Sequence, residues 1–239
     1  MVDIAEIEDR ESFRAWLEAT GQPRQVCVAL AARAAARVLP VVWNVADERG
    51  RFSALPVLRA TLVAQVAGLA PPGVMTEPGH ASALRAAADA AARAAYAAYA
   101  ANAAYAAANA AYAAYAANAA ADAADANADA WAAIRCDCAE IAAGDSLTAA
   151  PLFPEEPPAA ISSRWFAVAQ RLGESDWDFW LDWYSRLLAS KAQNWLLLLE
   201  IAIQEDDFWQ GSDDEVNARI AGIVARFAKP DAAAGDPIA

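Results

Sequence analysis

Asp178 and Asp182 stand four residues apart in SDWDFWLDWYSRLL, beside Trp177, Trp180, Trp183 and Tyr184. Four-residue spacing puts the two acids on one face of a helix. A carboxylate pair against aromatic walls is the arrangement used for glycoside hydrolysis, one acid giving a proton while the other acts as base or nucleophile. A plainer reading is also open. Asp176 and Asp178 fall in a helix first turn, where the macrodipole favours acids. Trp177, Trp180 and Tyr184 share a stripe with Leu181, Leu187 and Leu188, while Phe179 and Trp183 lie on a different side. With apolar groups on most faces, this helix is either wholly buried or keeps a face for a partner. Tryptophan and tyrosine suit a packed core and an interface hot spot alike. Trp177, Trp180, Trp183 and Tyr184 are therefore candidate partner-binding residues, and Asp178 with Asp182 is the alternative, hydrolytic pair.

Other reactive residues are sparse. His80 is the single histidine and sits in a Pro- and Gly-rich linker. A Ser-His-Asp or Cys-His arrangement would have to use it, and the plainer expectation is a solvated linker residue. Cys136 and Cys138 flank Asp137, but residues two apart on a helix point in nearly opposite directions, which makes them poor joint metal ligands. No glycine-rich phosphate loop or dinucleotide fingerprint occurs in the sequence. No cofactor and no metal are expected. A net charge of −13 argues against nucleic acid, whose phosphates call for clustered Lys and Arg, and makes attraction to an anionic membrane surface unfavourable. Three cysteines in 239 residues fit a reducing compartment better than a disulfide framework. The opening MVDIAEIEDRESF is acidic and lacks the basic and apolar regions of a secretory signal, so a cytoplasmic protein is expected.

The elements that must position these residues read as helices throughout, in three segments. In residues 1–70, Asp9 or Ser12 can cap a short helix carrying Phe13, Trp16 and Leu17, which Gly21 ends. Pro23 suits the first turn of the next helix, QPRQVCVALAARAAARVLP, and Pro40 is expected to terminate it. That helix pairs Arg33 and Arg37 at four-residue spacing. The run VVWNVA after it has no clear partner strand and reads as helix or loop. LPVLRATLVAQVA is a further helix bracketed by Ser53, Pro56 and Gly68. The linker LAPPGVMTEPGH follows. Residues 81–143 form the second segment, an alanine-rich stretch with no Gly or Pro. A second linker, GDSLTAAPLFPEEPPAA, leads to the third segment, 158–229. Helices are expected there over 159–172, from a cap at Ser175, through NWLLLLEIAI, and from a Ser212–Glu215 capping box to a stop before Pro230.

The second segment asks a question of its own. Alanine is the best helix former, and one uninterrupted helix over 81–143 would be roughly 95 Å long at 1.5 Å per residue. A long helix or a helical hairpin is therefore expected. In AAYAAYAANAAYAAANAAYAAYAANAA (94–120), Tyr or Asn recurs mostly every third residue. Three falls short of 3.6 per turn, so these side chains wind round the helix rather than form a straight stripe. Between Arg85 and Ala133 there is no Leu, Ile, Val or Phe, which leaves little apolar area to bury but allows close approach of a second helix. One reading is an assembly surface, with Tyr96, Tyr99, Tyr105, Tyr112 and Tyr115 as candidate contact residues. A second is a tandem nine-nucleotide expansion that needs only to keep helix propensity. A third is a membrane span across residues 94–121, opposed by the weak apolarity of alanine and by the asparagines.

The alanine-rich stretch is similar to the helices of type I antifreeze proteins, but their regular Thr repeat and flat face are missing here. More widely, the chain resembles uncharacterised bacterial proteins that share three features. These are a head like FRAWLEATGQPRQVCVALAARAAARVLP, an alanine-rich centre with interspersed Tyr, Asn and Asp, and a tail like DWDFWLDWYSRLL. That resemblance implies no activity and no functional residues. The sequence thus predicts an all-α protein, with helical end segments joined by a long Ala-rich helix or hairpin. The function it points to is a non-enzymatic interaction or assembly module that self-associates or binds a protein partner.

Overall fold

The structure is a computed structural model, and it describes residues 3–49, 53–74, 79–87, 131–148, 150–173 and 176–228. Among these residues every regular element is helical. The helices are α1 (Arg10–Thr20), α2 (Arg24–Arg49), α3 (Leu55–Leu69), α4 (residues 80–87), α5 (131–143), α6 (Ala159–Leu172), α7 (Asp178–Leu188), α8 (Trp195–Ala202) and α9 (Asp213–Ala228). Short 3₁₀ turns at Ile4–Glu6, Pro72–Val74 and Asp206–Trp209 complete the set.

Local chemistry accounts for several boundaries. The Asp9 carboxylate accepts from the Ser12 amide at 2.8 Å, and the Ser12 hydroxyl oxygen accepts from the Asp9 amide at 3.1 Å. These two bonds satisfy amides that α1 itself cannot pair. Gly21 closes α1 in the left-handed conformation, with φ of 60°, which glycine adopts without steric cost. At α9, Ser212 and Glu215 bond reciprocally in the expected box.

α2 departs from expectation. It does not stop at Pro40 but runs through it to Arg49, so VVWNVA is helical. A proline inside a helix removes the N–H that would bond the carbonyl four residues earlier, here Ala36. The hydroxyl of Tyr184 supplies the missing donor, 3.1 Å from the Ala36 carbonyl oxygen. A tertiary contact from α7 thus makes good a local defect in α2.

α2 and α3 form the densest helix pair, and small residues set their separation. A Cβ on Gly68 would lie 2.5 Å from the Ala29 nitrogen, so only glycine lets the two backbones meet there. Ala29, Ala32 and Ala36 are all buried along α2. The end segments are not separate bodies. One apolar cluster draws Leu39 and Trp43 from α2, Leu58, Leu62 and Val66 from α3, Leu84 and Ala87 from α4, and the inner faces of α6 to α9. A second joins Ile7, Trp16, Leu30, Leu69, Ile134 and Leu147, and a third joins Ala36, Ala133, Leu152, Phe153 and Ile161. Both stretches that flank the alanine-rich centre, α4 and α5, are therefore seated in the body. The centre itself lies outside the described residues, and so does the choice between one helix and a hairpin.

Candidate functional site

The tryptophan-rich helix occupies the core. Trp180, Trp183 and Tyr184 are 0%, 1% and 0% exposed, and Trp177 is 9% exposed. Trp177 packs at a tilt against Trp43 of α2 at 5.6 Å between ring centres, and Trp180 meets Trp183 at 5.6 Å and Trp209 at 6.4 Å. Trp165 of α6 packs 4.7 Å from the Tyr184 ring. The Trp180 indole donates to the Asn217 Oδ1 at 3.0 Å, which orients the ring against α9. Burial among apolar neighbours pushes the Tyr184 hydroxyl pKa far up, keeping it a neutral donor. These four residues were candidates for a partner surface, and the structure gives that surface to the fold. Rings on most faces of α7 are covered because α2, α6, α8 and α9 surround it.

Asp178 and Asp182 are placed on the opposite, solvent-facing side. Asp182 pairs with Arg186 one turn on, at 2.6 Å, in an exposed helix pair worth little stability. The aromatic walls needed for a carboxylate pocket point inward while the carboxylates point outward. The hydrolytic pair is therefore not assembled. Tyr96, Tyr99, Tyr105, Tyr112 and Tyr115 lie outside the described residues.

A polar centre sits between α2, α5 and the loop 147–152. Arg33 grips Asp137 with two bonds, Nε to Oδ2 at 3.0 Å and Nη2 to Oδ1 at 2.9 Å. Its remaining N–H groups reach the carbonyl oxygens of Leu147, Ala150 and Pro151. All five guanidinium donors are thereby used. Arg37 donates from Nε to the Leu152 carbonyl at 2.7 Å, and its Nη2 lies 2.7 Å from Asp137 Oδ2 as an ion pair off the hydrogen-bond axis. Burial lowers the Arg37 pKa and the Asp137 carboxylate opposes that shift. Two cations and one anion, none more than 4% exposed, leave a net positive charge inside the protein. Asp137 is the residue between the two cysteines. Its flanking thiols diverge as expected: Cys136 is exposed and Cys138 buried. Burial first, and the Asp137 charge second, push the Cys138 thiol up to about 12. Among the described residues no cluster of His, Cys, Asp and Glu could hold a metal ion.

This polar centre backs onto a cleft of about 380 Å³. The cleft lies between the end of α3, the 147–152 loop and the turn that follows α7. Its apolar surface comes from Leu69, Leu152, Leu187 and Trp195, and its polar groups include Arg33, Gln65, Arg186 and Lys191. The Thr148 hydroxyl donates to the Leu69 carbonyl at 3.1 Å and ties the loop to α3. Gln65 is 1% exposed, and neither its amide nitrogen nor its oxygen has a hydrogen-bond partner among the described residues. Such a group costs about 1–3 kcal/mol in desolvation. Sequence reading missed this cleft because it is built from three distant segments. The one visible signal was Gln65 itself, a polar residue within the apolar run of α3.

Compared with protein-family models, curated proteins and solved structures, the chain matches none. Among the described residues no helix is long and apolar enough to cross a membrane.

Proposed function

We propose that this protein is a non-enzymatic helical interaction module of the cytoplasm, in which a folded body presents the alanine-rich centre for self-association or for a protein partner. The observation that carries the reading is the use made of the tryptophans. Trp177, Trp180, Trp183 and Tyr184 are consumed by the core, so the other large set of interface-type side chains is the tyrosine series of the centre. The flanks of that centre, α4 and α5, are anchored by Leu84, Ala133, Ile134 and the Arg33–Asp137 pair. An anchored base supports a contact surface by lowering the entropy lost on association. The close crossing at Ala29 and Gly68 illustrates what small residues permit between helices.

Sedimentation of the full chain across micromolar concentrations, with chemical crosslinking alongside, tests the proposal. Concentration-dependent association, or a protein captured in stoichiometric amount, is the expected result. A monomer at every concentration with no captured protein would overturn it.

A further inference from the structure

The lining of the cleft beside the Arg33–Asp137 centre runs against the acidic balance of the chain. The sequence carries 31 acids against 18 Lys and Arg. Yet the fourteen residues lining the cleft include Arg33, Arg186 and Lys191 and no acid. Behind the wall, two buried arginines face one aspartate, so one positive charge there has no counter-ion among the described residues. Lys191 is exposed and has no acidic partner among the described residues. Arg186 is shared with Asp182 at the rim. Beside these cations lie the side chains of Leu69, Leu147, Leu152, Leu187 and Trp195.

We propose that this cleft binds a small amphipathic monocarboxylate, with its apolar body against the leucines and Trp195 and its carboxylate on Lys191 and Arg186. The volume of about 380 Å³ suits a molecule of this size. Arg33 acts through its field, because its five donors are already engaged. Gln65 lines the cleft, but its amide atoms are sealed from it and take no part in the contact. This inference does not depend on the association proposed above.

Titration calorimetry on the full chain decides it, with octanoate, 1-octanol and inorganic phosphate as probes. Octanoate is expected to bind at one site, with 1-octanol and phosphate each at least about tenfold weaker. Lys191→Gln with Arg186→Gln, two exposed positions, should cost about tenfold in octanoate affinity and leave 1-octanol unchanged. Octanoate that binds no better than 1-octanol, or binds the double variant as well as the wild type, overturns the proposal. So does phosphate binding as tightly as octanoate, and so does an absence of octanoate binding.

Discussion

Two regions of one body are held together by different physics. Around α7 the contacts are aromatic and apolar: Trp43, Trp177, Trp180, Trp183 and Tyr184 interlock, and the main polar bonds serve single atoms on their rings. Around the centre of α2 most of the buried apolar residues are alanines, with Leu30 among them, and two guanidinium groups collect one carboxylate and four loop carbonyls. Alanine buries little area, so a helix rich in it gains little hydrophobic energy. Where side chains are small, directional charge-assisted bonds fix the neighbours; where they are large, area does so without them.

The contrast breaks most clearly at its largest contact. Trp180→Ala removes a fully buried indole and strands Asn217, and should cost near the upper end of 3–5 kcal/mol in denaturant unfolding. A loss below about 1 kcal/mol would show that the aromatic cluster is not the main support of this region. In the ionic region Asp137→Asn leaves Arg33 and Arg37 facing each other in the interior, at a cost of about 3 kcal/mol. Replacing Arg33 and Arg37 by Met as well should not restore stability. The carbonyls of Leu147, Ala150, Pro151 and Leu152 then lose their donors. Full recovery in the triple variant would reduce the centre to a simple ion pair.

The two regions meet where Tyr184 bonds the Ala36 carbonyl. Tyr184→Phe should cost about 1–3 kcal/mol, because the carbonyl that Pro40 leaves open becomes unsatisfied. In a Pro40→Ala background the helix can close its own bond, and the same change should cost clearly less. Equal costs in both backgrounds would refute the link between the proline and the tyrosine. The smallest effect concerns the thiols. Cys136 should alkylate readily in the native protein, while Cys138 reacts only on unfolding. Burial favours the neutral Cys138 thiol, so its contribution to stability is complete below the ordinary value of 9.0 and fades as pH climbs towards about 12. Alkaline unfolding that begins in that window, and shifts upward in Cys138→Ala, is the expected outcome.

Much of the helical framework was legible in the sequence because its signals are local. Asp9 with Ser12, Gly21, Ser212 with Glu215 and the break at Gly173 mark ends that the structure also has. Pro40 misled for a physical reason. Its penalty is local, but the donor that offsets it is on Tyr184, 148 positions from the Ala36 carbonyl it serves. The role of α7 was undecidable in one dimension, since a ring that seeks a core and a ring that seeks a partner have the same spacing. Arg33 and Arg37 were visible as an i, i+4 pair, yet their carboxylate sits between two cysteines that drew attention away from it. The cleft was illegible, because Gln65, Leu152 and Lys191 meet only through the tertiary fold.

The division of labour between body and centre has one direct test, sedimentation of a variant with Tyr96, Tyr99, Tyr105, Tyr112 and Tyr115 all changed to Ala. The proposed role requires that this variant keep its helicity and its tryptophan emission while its association is lost. Association as strong as that of the wild type, in a protein folded as well, would contradict it.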